Sequence, residues 1–85
     1  MQEKVRVVLY TKPSCGLCDE MKAEMQNAEV NDLYILEEVN IETDPELYAR
    51  YRYDIPIVYI NGVEAFRHRL DRRQFKALLR TGHVQ

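Results

Sequence analysis

Apolar and polar positions alternate along the first half of the chain in patterns typical of a strand, a helix and a second strand. The run from Val5 to Tyr10 is β-branched and largely apolar, which predicts a central strand covered on both faces. From Gly16 to about Val30, apolar residues recur at helical spacing with charged residues between them, which predicts an amphipathic helix. Leu33 to Ile41 alternates enough to predict another strand. A helix that crosses between these two strands makes them parallel.

Capping and turn residues predict the elements of the second half. Thr43 or Asp44 followed by Pro45 is typical of a helix start. Thr43 or Asp44 can serve as the N-cap, and proline is favoured at the first helical position because an N–H there would have no partner within the helix. Ile57 to Ile60 predicts a strand, and Asn61-Gly62 predicts a tight turn into an antiparallel strand from Val63 to Phe66.

Asp71 is placed to cap a last helix. The apolar stripe of that helix consists of Leu70, Phe75, Leu78 and Leu79. The order is then β-α-β-α-β-β-α in a single domain over residues 1–85. It predicts an α/β fold in which helices flank a four-stranded mixed sheet, the thioredoxin-like arrangement.

Composition narrows the function classes only modestly. Of the 85 residues, 46% are hydrophobic and 31% are charged, and the net charge is −2, as in an ordinary globular domain without a basic surface for nucleic acid. No apolar run approaches the roughly 20 residues of a membrane span, and the polar start does not resemble a signal peptide. Because both cysteines lie in one C-x-x-C motif, no secreted disulfide framework is indicated. We therefore expect a cytoplasmic monomer.

The segment Cys15-Gly16-Leu17-Cys18 is the most informative one, since it lies between the first strand and the first helix. A thiol at a helix N-terminus ionises more readily than an ordinary cysteine, because unpaired N–H groups and the helix dipole favour an anion. We therefore expect Cys15 to be partly thiolate at neutral pH. Residues three apart share one helix face, so Cys18 comes within disulfide reach of Cys15. The motif predicts thiol–disulfide chemistry.

A zinc site is the alternative that C-x-x-C leaves open. Structural zinc takes four ligands, and this chain can supply them only as Cys15, Cys18, His68 and His83. Because His83 stands close to the end of the chain, redox chemistry is the favoured interpretation, and we expect no metal ligands.

From about Val5 to Leu79 the chain resembles the glutaredoxins. The resemblance rests on the segment from Leu9 to Cys18, on Asp54-Ile55-Pro56 and on the Asn61-Gly62 turn, in this order and spacing. It is strongest with small glutaredoxin-like proteins of the thioredoxin superfamily. The resemblance implies that Cys15 is the catalytic nucleophile, that Cys18 resolves the mixed disulfide, and that the Ile55–Pro56 peptide bond is cis.

The resemblance also implies glutathione as a candidate co-substrate. In the family it is held by a lysine, by the residue before the cis-proline and by a Gly-Gly-x-Asp segment, which here correspond to Lys12, Ile55 with Pro56, and Asp71. The Gly-Gly pair is missing, since Phe66-Arg67-His68-Arg69 stands there. Either Arg67 or Arg69 grips a glutathione carboxylate instead, or a thioredoxin-reductase-type donor supplies the electrons.

The expected function is reduction of protein disulfides or glutathione mixed disulfides through Cys15 and Cys18, with no bound cofactor. Tyr10 is a candidate substrate contact. Two alternatives remain. Gly16, a small residue after the nucleophile, is also typical of glutaredoxins that hold an iron–sulfur cluster, and a thioredoxin-fold domain can dock partners without turnover.

Overall fold

The computed structural model describes residues 4–81, and in that range four strands and three helices follow each other in the predicted order. The elements are β1 (Val5–Thr11), α1 (Gly16–Asn27), β2 (Tyr34–Asn40), α2 (Pro45–Tyr51), β3 (Ile57–Ile60), β4 (Val63–Arg67) and α3 (Arg72–Thr81). None of the helices within residues 4–81 is long and apolar enough to cross a membrane.

The strands form one mixed sheet in the order β2-β1-β3-β4. Strand β1 runs parallel to β2, as the crossover helix requires, and antiparallel to β3, which pairs antiparallel with β4. The predicted turn between β3 and β4 is confirmed, because Asn61 (φ 50°) and Gly62 (φ 84°) both adopt the left-handed conformation of such turns.

The main core lies between one face of the sheet and the helices α1 and α3. Its central side chain is Phe75, which is fully buried and packs edge-on against the rings of Tyr34 and Phe66. The strands and the helix α1 contribute further buried side chains, among them Val7, Leu9, Met21, Met25, Val58 and Ile60. This packing fixes the position of α1, and therefore of the cysteines at its start.

A smaller apolar cluster at the start of α1 includes Cys18, Ile41 and Ile55, and Tyr10 packs against it from the face of β1 opposite to Leu9. The helix α2 has seven residues and packs against this cluster and Tyr10. Because so short a helix leaves much of this face open, Arg6 is exposed and Val8 is only half-buried. The prediction that β1 is covered on both faces is therefore wrong for one of them.

Strand β2 also differs from its predicted pattern. Its register aligns Tyr34 with Val5 and Ile35 with Arg6, so Tyr34 lies on the core face and is buried. Ile35 points to the open face and is 61% exposed. The strand itself is confirmed, but at its end Ile41 belongs to a short 3₁₀ turn.

The first helix ends at Asn27, three residues before the predicted end at Val30. Glu29 has φ 59°, a left-handed conformation that a helix interior does not contain. Ala28 and Val30 are still buried, which explains why their apolar spacing suggested a longer helix.

Candidate redox site

Cys15 and Cys18 are paired as a disulfide at the start of α1. Cys15 is the N-cap residue of the helix, with extended backbone dihedrals, and it follows a turn in which Ser14 has φ 57°. The Cα atoms of the two cysteines are 5.2 Å apart, within the usual range for a disulfide. The short segment between β1 and α1 thus sets the local geometry of the pair, and the packing of α1 against the sheet fixes its position.

The two cysteines differ in accessibility. Cys15 is half-buried, whereas Cys18 is 1% exposed and belongs to the cluster with Ile41 and Ile55. The Sγ atom of Cys15 accepts a hydrogen bond of 3.2 Å from the backbone N–H of Cys18. This N–H is one of the donors that the first turn of a helix leaves unpaired, and the same donor would stabilise a Cys15 thiolate.

Ile55 and Pro56 lie beside the disulfide, since Cys15 packs against the cluster that contains Ile55. Their peptide bond is cis, as expected from the resemblance. The N–H of Ile55 already donates a hydrogen bond of 3.1 Å to the carbonyl oxygen of Tyr51. The Ile55 N–H is therefore already engaged within the chain.

One backbone hydrogen bond joins the segment after β4 to Pro56, and a second closes a tight turn within the segment. The N–H of His68 donates to the carbonyl oxygen of Pro56 at 2.7 Å, and the N–H of Arg69 donates to that of Arg67 at 2.8 Å. His68 at the centre of this tight turn has φ 68°. His68 stands in the segment where the resemblance places a Gly-Gly pair, and it adopts the left-handed conformation that glycine takes without strain.

Asp71 begins α3 as predicted. Its Oδ1 atom accepts a hydrogen bond of 3.1 Å from the N–H of Gln74, and its carbonyl oxygen accepts one of 2.9 Å from the N–H of Phe75. The carboxylate thus satisfies one of the unpaired donors of the first turn.

The two arginines that flank His68 differ in whether they form ion pairs within the described chain. The guanidinium of Arg67 makes two hydrogen bonds to Glu64, of 2.8 and 3.1 Å, and lies 3.3 Å from Asp54. The hydrogen bonds to Glu64 raise the pKa of Arg67 above its ordinary value. Arg69 is exposed and forms no ion pair with any residue between 4 and 81. The sequence alone could not distinguish them, because Arg67 is held partly by a residue distant in the chain.

Lys12 lies apart from the segment around Asp71. It is half-buried and lines a shallow depression of about 270 Å³ together with residues of α1 and β2, among them Asp19 and Glu38. No residue from 66 to 71 lines that depression. The structure therefore brings Cys15 and Cys18 together with Ile55 and Pro56, whereas Lys12 lines a depression to which the segment around Asp71 does not contribute.

Tyr10 belongs to an aromatic cluster on the α2 side of the sheet. Its ring centroid is 5.0 Å from that of Tyr51 and 5.5 Å from that of Tyr59. The hydroxyl oxygens of Tyr51 and Tyr59 are 3.4 Å apart, and this hydrogen bond, together with burial, raises the pKa of Tyr59 to about 12. Sequence reasoning missed this cluster, whose members come from three separate elements. Substrate contact by Tyr10 stays a prediction.

Between residues 4 and 81, no group of three or more His, Cys, Asp or Glu side chains is arranged to hold a metal ion. His83, which the alternative zinc set requires, lies outside the described residues.

Comparisons with known proteins agree with this geometry. Residues 6–80 match the family model described as Glutaredoxin-like domain (DUF836). A curated glutaredoxin-like protein from Dictyostelium discoideum is 25% identical over 75 residues, which cover 81% of this chain and 69% of that protein.

Two solved structures illustrate the similarity in fold. Protein Ne2328 from Nitrosomonas europaea superimposes with a TM-score of 0.74 at 25% identity, covering 91% of this chain and 93% of its own. A thioredoxin variant from Halobacterium salinarum has a TM-score of 0.61 at 13% identity, covering 93% of this chain and 74% of its own. The predicted thioredoxin-like α/β fold is confirmed.

Proposed function

Because this chain belongs to the Glutaredoxin-like domain (DUF836) family, we propose that it is a thiol–disulfide oxidoreductase that reduces protein disulfides or glutathione mixed disulfides. The observation that carries the proposal is the unequal accessibility of the two cysteines. Cys15 is half-buried at the start of α1, whereas Cys18 is 1% exposed one turn further on. A dithiol enzyme needs this division between an attacking thiol and a resolving thiol.

The reaction starts from the reduced pair. The Cys15 thiolate attacks one sulfur of a substrate disulfide, so that a Cys15–substrate disulfide forms and the other substrate sulfur leaves as a thiolate. Cys18 then loses its proton and attacks the Sγ atom of Cys15, which releases the second substrate thiolate and forms the Cys15–Cys18 disulfide. Two electrons pass from the cysteine pair to the substrate, and an external thiol or dithiol donor reduces the pair again.

The surroundings of the pair support this order of events. A substrate disulfide cannot approach Cys18 directly, because Cys18 is buried beside Ile41 and Ile55. Once Cys15 is linked to substrate, Cys18 remains within bonding distance, since the Cα atoms of the pair are only 5.2 Å apart. An extended substrate backbone that bonds to Ile55 would use its carbonyl oxygen, because the Ile55 N–H already donates to Tyr51.

A turnover assay with a protein disulfide tests the proposal. The reduced protein should cleave insulin disulfides repeatedly when either glutathione with its reductase or a thioredoxin reductase regenerates it, and Cys15→Ser should abolish turnover. No turnover with either donor, in a protein whose two thiols titrate and reoxidise normally, would indicate a docking domain. Iron and visible absorption in the purified protein, lost in the Cys15→Ser variant, would indicate the iron–sulfur alternative.

A further inference from the structure

The residues on both sides of Ile55 are bound by the last residue of β4 and the residue after it. Before Ile55, the Oδ1 atom of Asp54 lies 3.3 Å from the Nη1 atom of Arg67. After Ile55, the carbonyl oxygen of Pro56 accepts a hydrogen bond of 2.7 Å from the backbone N–H of His68. The loop that contains the cis peptide bond is therefore joined to the end of β4 at two points.

The guanidinium of Arg67 is itself fixed in orientation. Its Nε and Nη2 atoms donate hydrogen bonds of 3.1 and 2.8 Å to the two carboxylate oxygens of Glu64, which is three residues earlier on β4. Paired hydrogen bonds of this kind set the plane of a guanidinium. The remaining Nη1 atom is the one that lies beside Asp54.

Asp54 has no second ion-pair partner among residues 4–81. Its backbone N–H donates a hydrogen bond of 2.8 Å to the carbonyl oxygen of Tyr51, the same oxygen that accepts from the N–H of Ile55. These two bonds join the loop to the end of α2. The side chain of Arg67 therefore connects that end of α2 with β4, and Asp54 is the residue through which it does so.

The position of this loop matters for substrate because Cys15 packs against the cluster that contains Ile55. An extended substrate backbone that bonds to the Ile55 carbonyl oxygen binds more tightly when the loop is already in place, since ordering a loop on binding weakens the affinity. A small disulfide without a peptide backbone makes no such bond. Its reaction with Cys15 should not depend on the loop.

We propose that Arg67 is a positioning residue of the redox site, which acts through Asp54 to hold the Ile55–Pro56 loop where a substrate backbone binds beside Cys15. The inference rests on the proposed oxidoreductase function and deepens it, because it assigns to one side chain the advantage of peptide disulfides over small ones. The exchange between Cys15 and the substrate sulfur does not itself involve Arg67.

Two uncharged disulfides test the inference. One is the disulfide dimer of a short peptide with a single central cysteine, blocked ends and no charged side chains, and the other is bis(hydroxyethyl) disulfide. Each is mixed in excess with the fully reduced protein, and rapid acid quench followed by alkylation and mass spectrometry measures the rate of protein oxidation. The dependence on disulfide concentration gives a half-saturating concentration and a limiting rate for the peptide, and a second-order rate constant for the small disulfide.

Arg67→Gln should raise the half-saturating peptide concentration about three- to five-fold, as the loss of one partly exposed ion pair allows. The limiting rate with peptide and the rate constant with the small disulfide should stay unchanged. Asp54→Asn should have the same effect, and the double variant should exceed neither single variant, because both substitutions remove one shared contact.

Arg72→Gln is the matched control. The guanidinium of Arg72 also pairs with a glutamate, Glu24 at 2.9 Å, and its side chain is 47% exposed compared with 42% for Arg67. That pair joins α3 to α1 and does not involve the loop. Arg72→Gln therefore removes an ion pair of the same kind and should leave both disulfides reacting as with the wild type.

The outcomes separate the two proposals. If neither disulfide oxidises the reduced wild-type protein, the oxidoreductase function is wrong and the inference falls with it. If both disulfides react but the half-saturating peptide concentration is unchanged in Arg67→Gln, Arg67 does not position the loop. Equal slowing of both disulfides in Arg67→Gln, or an equal rise for the peptide in Arg72→Gln, would indicate a general contribution to stability and would also overturn the inference.

Discussion

The backbone N–H of His68 donates a hydrogen bond of 2.7 Å to the carbonyl oxygen of Pro56. This bond ties the segment between β4 and α3 to the loop beside the disulfide. His68 adopts φ 68° there, a conformation that costs an ordinary L-residue about 1–2 kcal/mol. The geometry of the segment thus persists without the glycine that would adopt it freely.

Substitution at position 68 should therefore change stability through the backbone. His68→Gly should raise the free energy of unfolding by up to about 1 kcal/mol, the relief of strain minus the greater freedom of unfolded glycine. His68→Val should lower it by about 1–2 kcal/mol, because a β-branched residue tolerates positive φ poorly. Urea denaturation at constant m-value measures both.

Glu29→Gly is a matched control, since Glu29 has φ 59° at the end of α1, away from the disulfide. It should give a similar gain in stability and leave turnover unchanged. A clear loss of stability in His68→Gly would instead mean that the histidine side chain holds the segment.

The two cysteines should behave differently when each is replaced. Cys15→Ser should remove dithiol turnover entirely, because the remaining thiol is 1% exposed. Cys18→Ser should accumulate a stable mixed disulfide through Cys15, because the resolving thiol is missing. Intact-mass spectrometry after exposure to a substrate disulfide detects the adduct. Faster alkylation of Cys18 than of Cys15 in the reduced protein would reverse the assignment.

Features set by neighbouring residues could be predicted from the sequence. Asn61-Gly62 forms the predicted turn, Asp44 caps α2 by accepting a hydrogen bond from the N–H of Glu46, and Cys15 precedes the first turn of α1. Each of these features depends on local backbone geometry, and the residues that determine it are adjacent in the sequence. The order of elements followed from such signals and from hydrophobic spacing.

Features set by contacts between distant elements could not be predicted in the same way. The exposure of Ile35 depends on the register of β2 against β1, and a shift of one residue would invert it. The engagement of Arg67 depends on Asp54 in the loop before β3. For the same reason, the sequence could not distinguish Arg67 from Arg69 as the residue that binds a glutathione carboxylate.

Alkaline pH should destabilise the protein partly through Tyr59. Its hydrogen bond to Tyr51 raises the pKa of Tyr59 to about 12 from the ordinary 10.0, so the folded state holds the phenolic proton more tightly than the unfolded chain. The resulting contribution to stability is complete below pH 10 and is lost progressively as the pH rises toward 12.

Tyr59→Phe should remove that part of the pH dependence, and Tyr53→Phe, at an exposed ring, should not. Urea denaturation over this pH range, together with tyrosinate absorbance, measures the effect. Equal slopes of stability against pH in the wild type and Tyr59→Phe would contradict the assignment.

Glutathione should bind weakly, because three features of a glutathione site are altered. Lys12 and the segment 68–70 line separate depressions, the Ile55 N–H is occupied by the Tyr51 carbonyl oxygen, and His68 stands where the family has glycine. We expect a Kd above about 1 mM, equivalent to a binding free energy weaker than about −4 kcal/mol. NMR chemical-shift titration with glutathione measures it.

Lys12→Ala should weaken this binding further, by about two- to five-fold if the ammonium pairs with a glutathione carboxylate. Lys4→Ala is the control, since Lys4 is exposed before β1 and does not line the depression around Lys12. Glutathione-coupled turnover should be slow, and a thioredoxin-reductase-coupled assay should match or exceed it. Tight binding that shifts residues 66–71 as strongly as Lys12, with fast glutathione turnover, would show that the arginines replace the missing glycines.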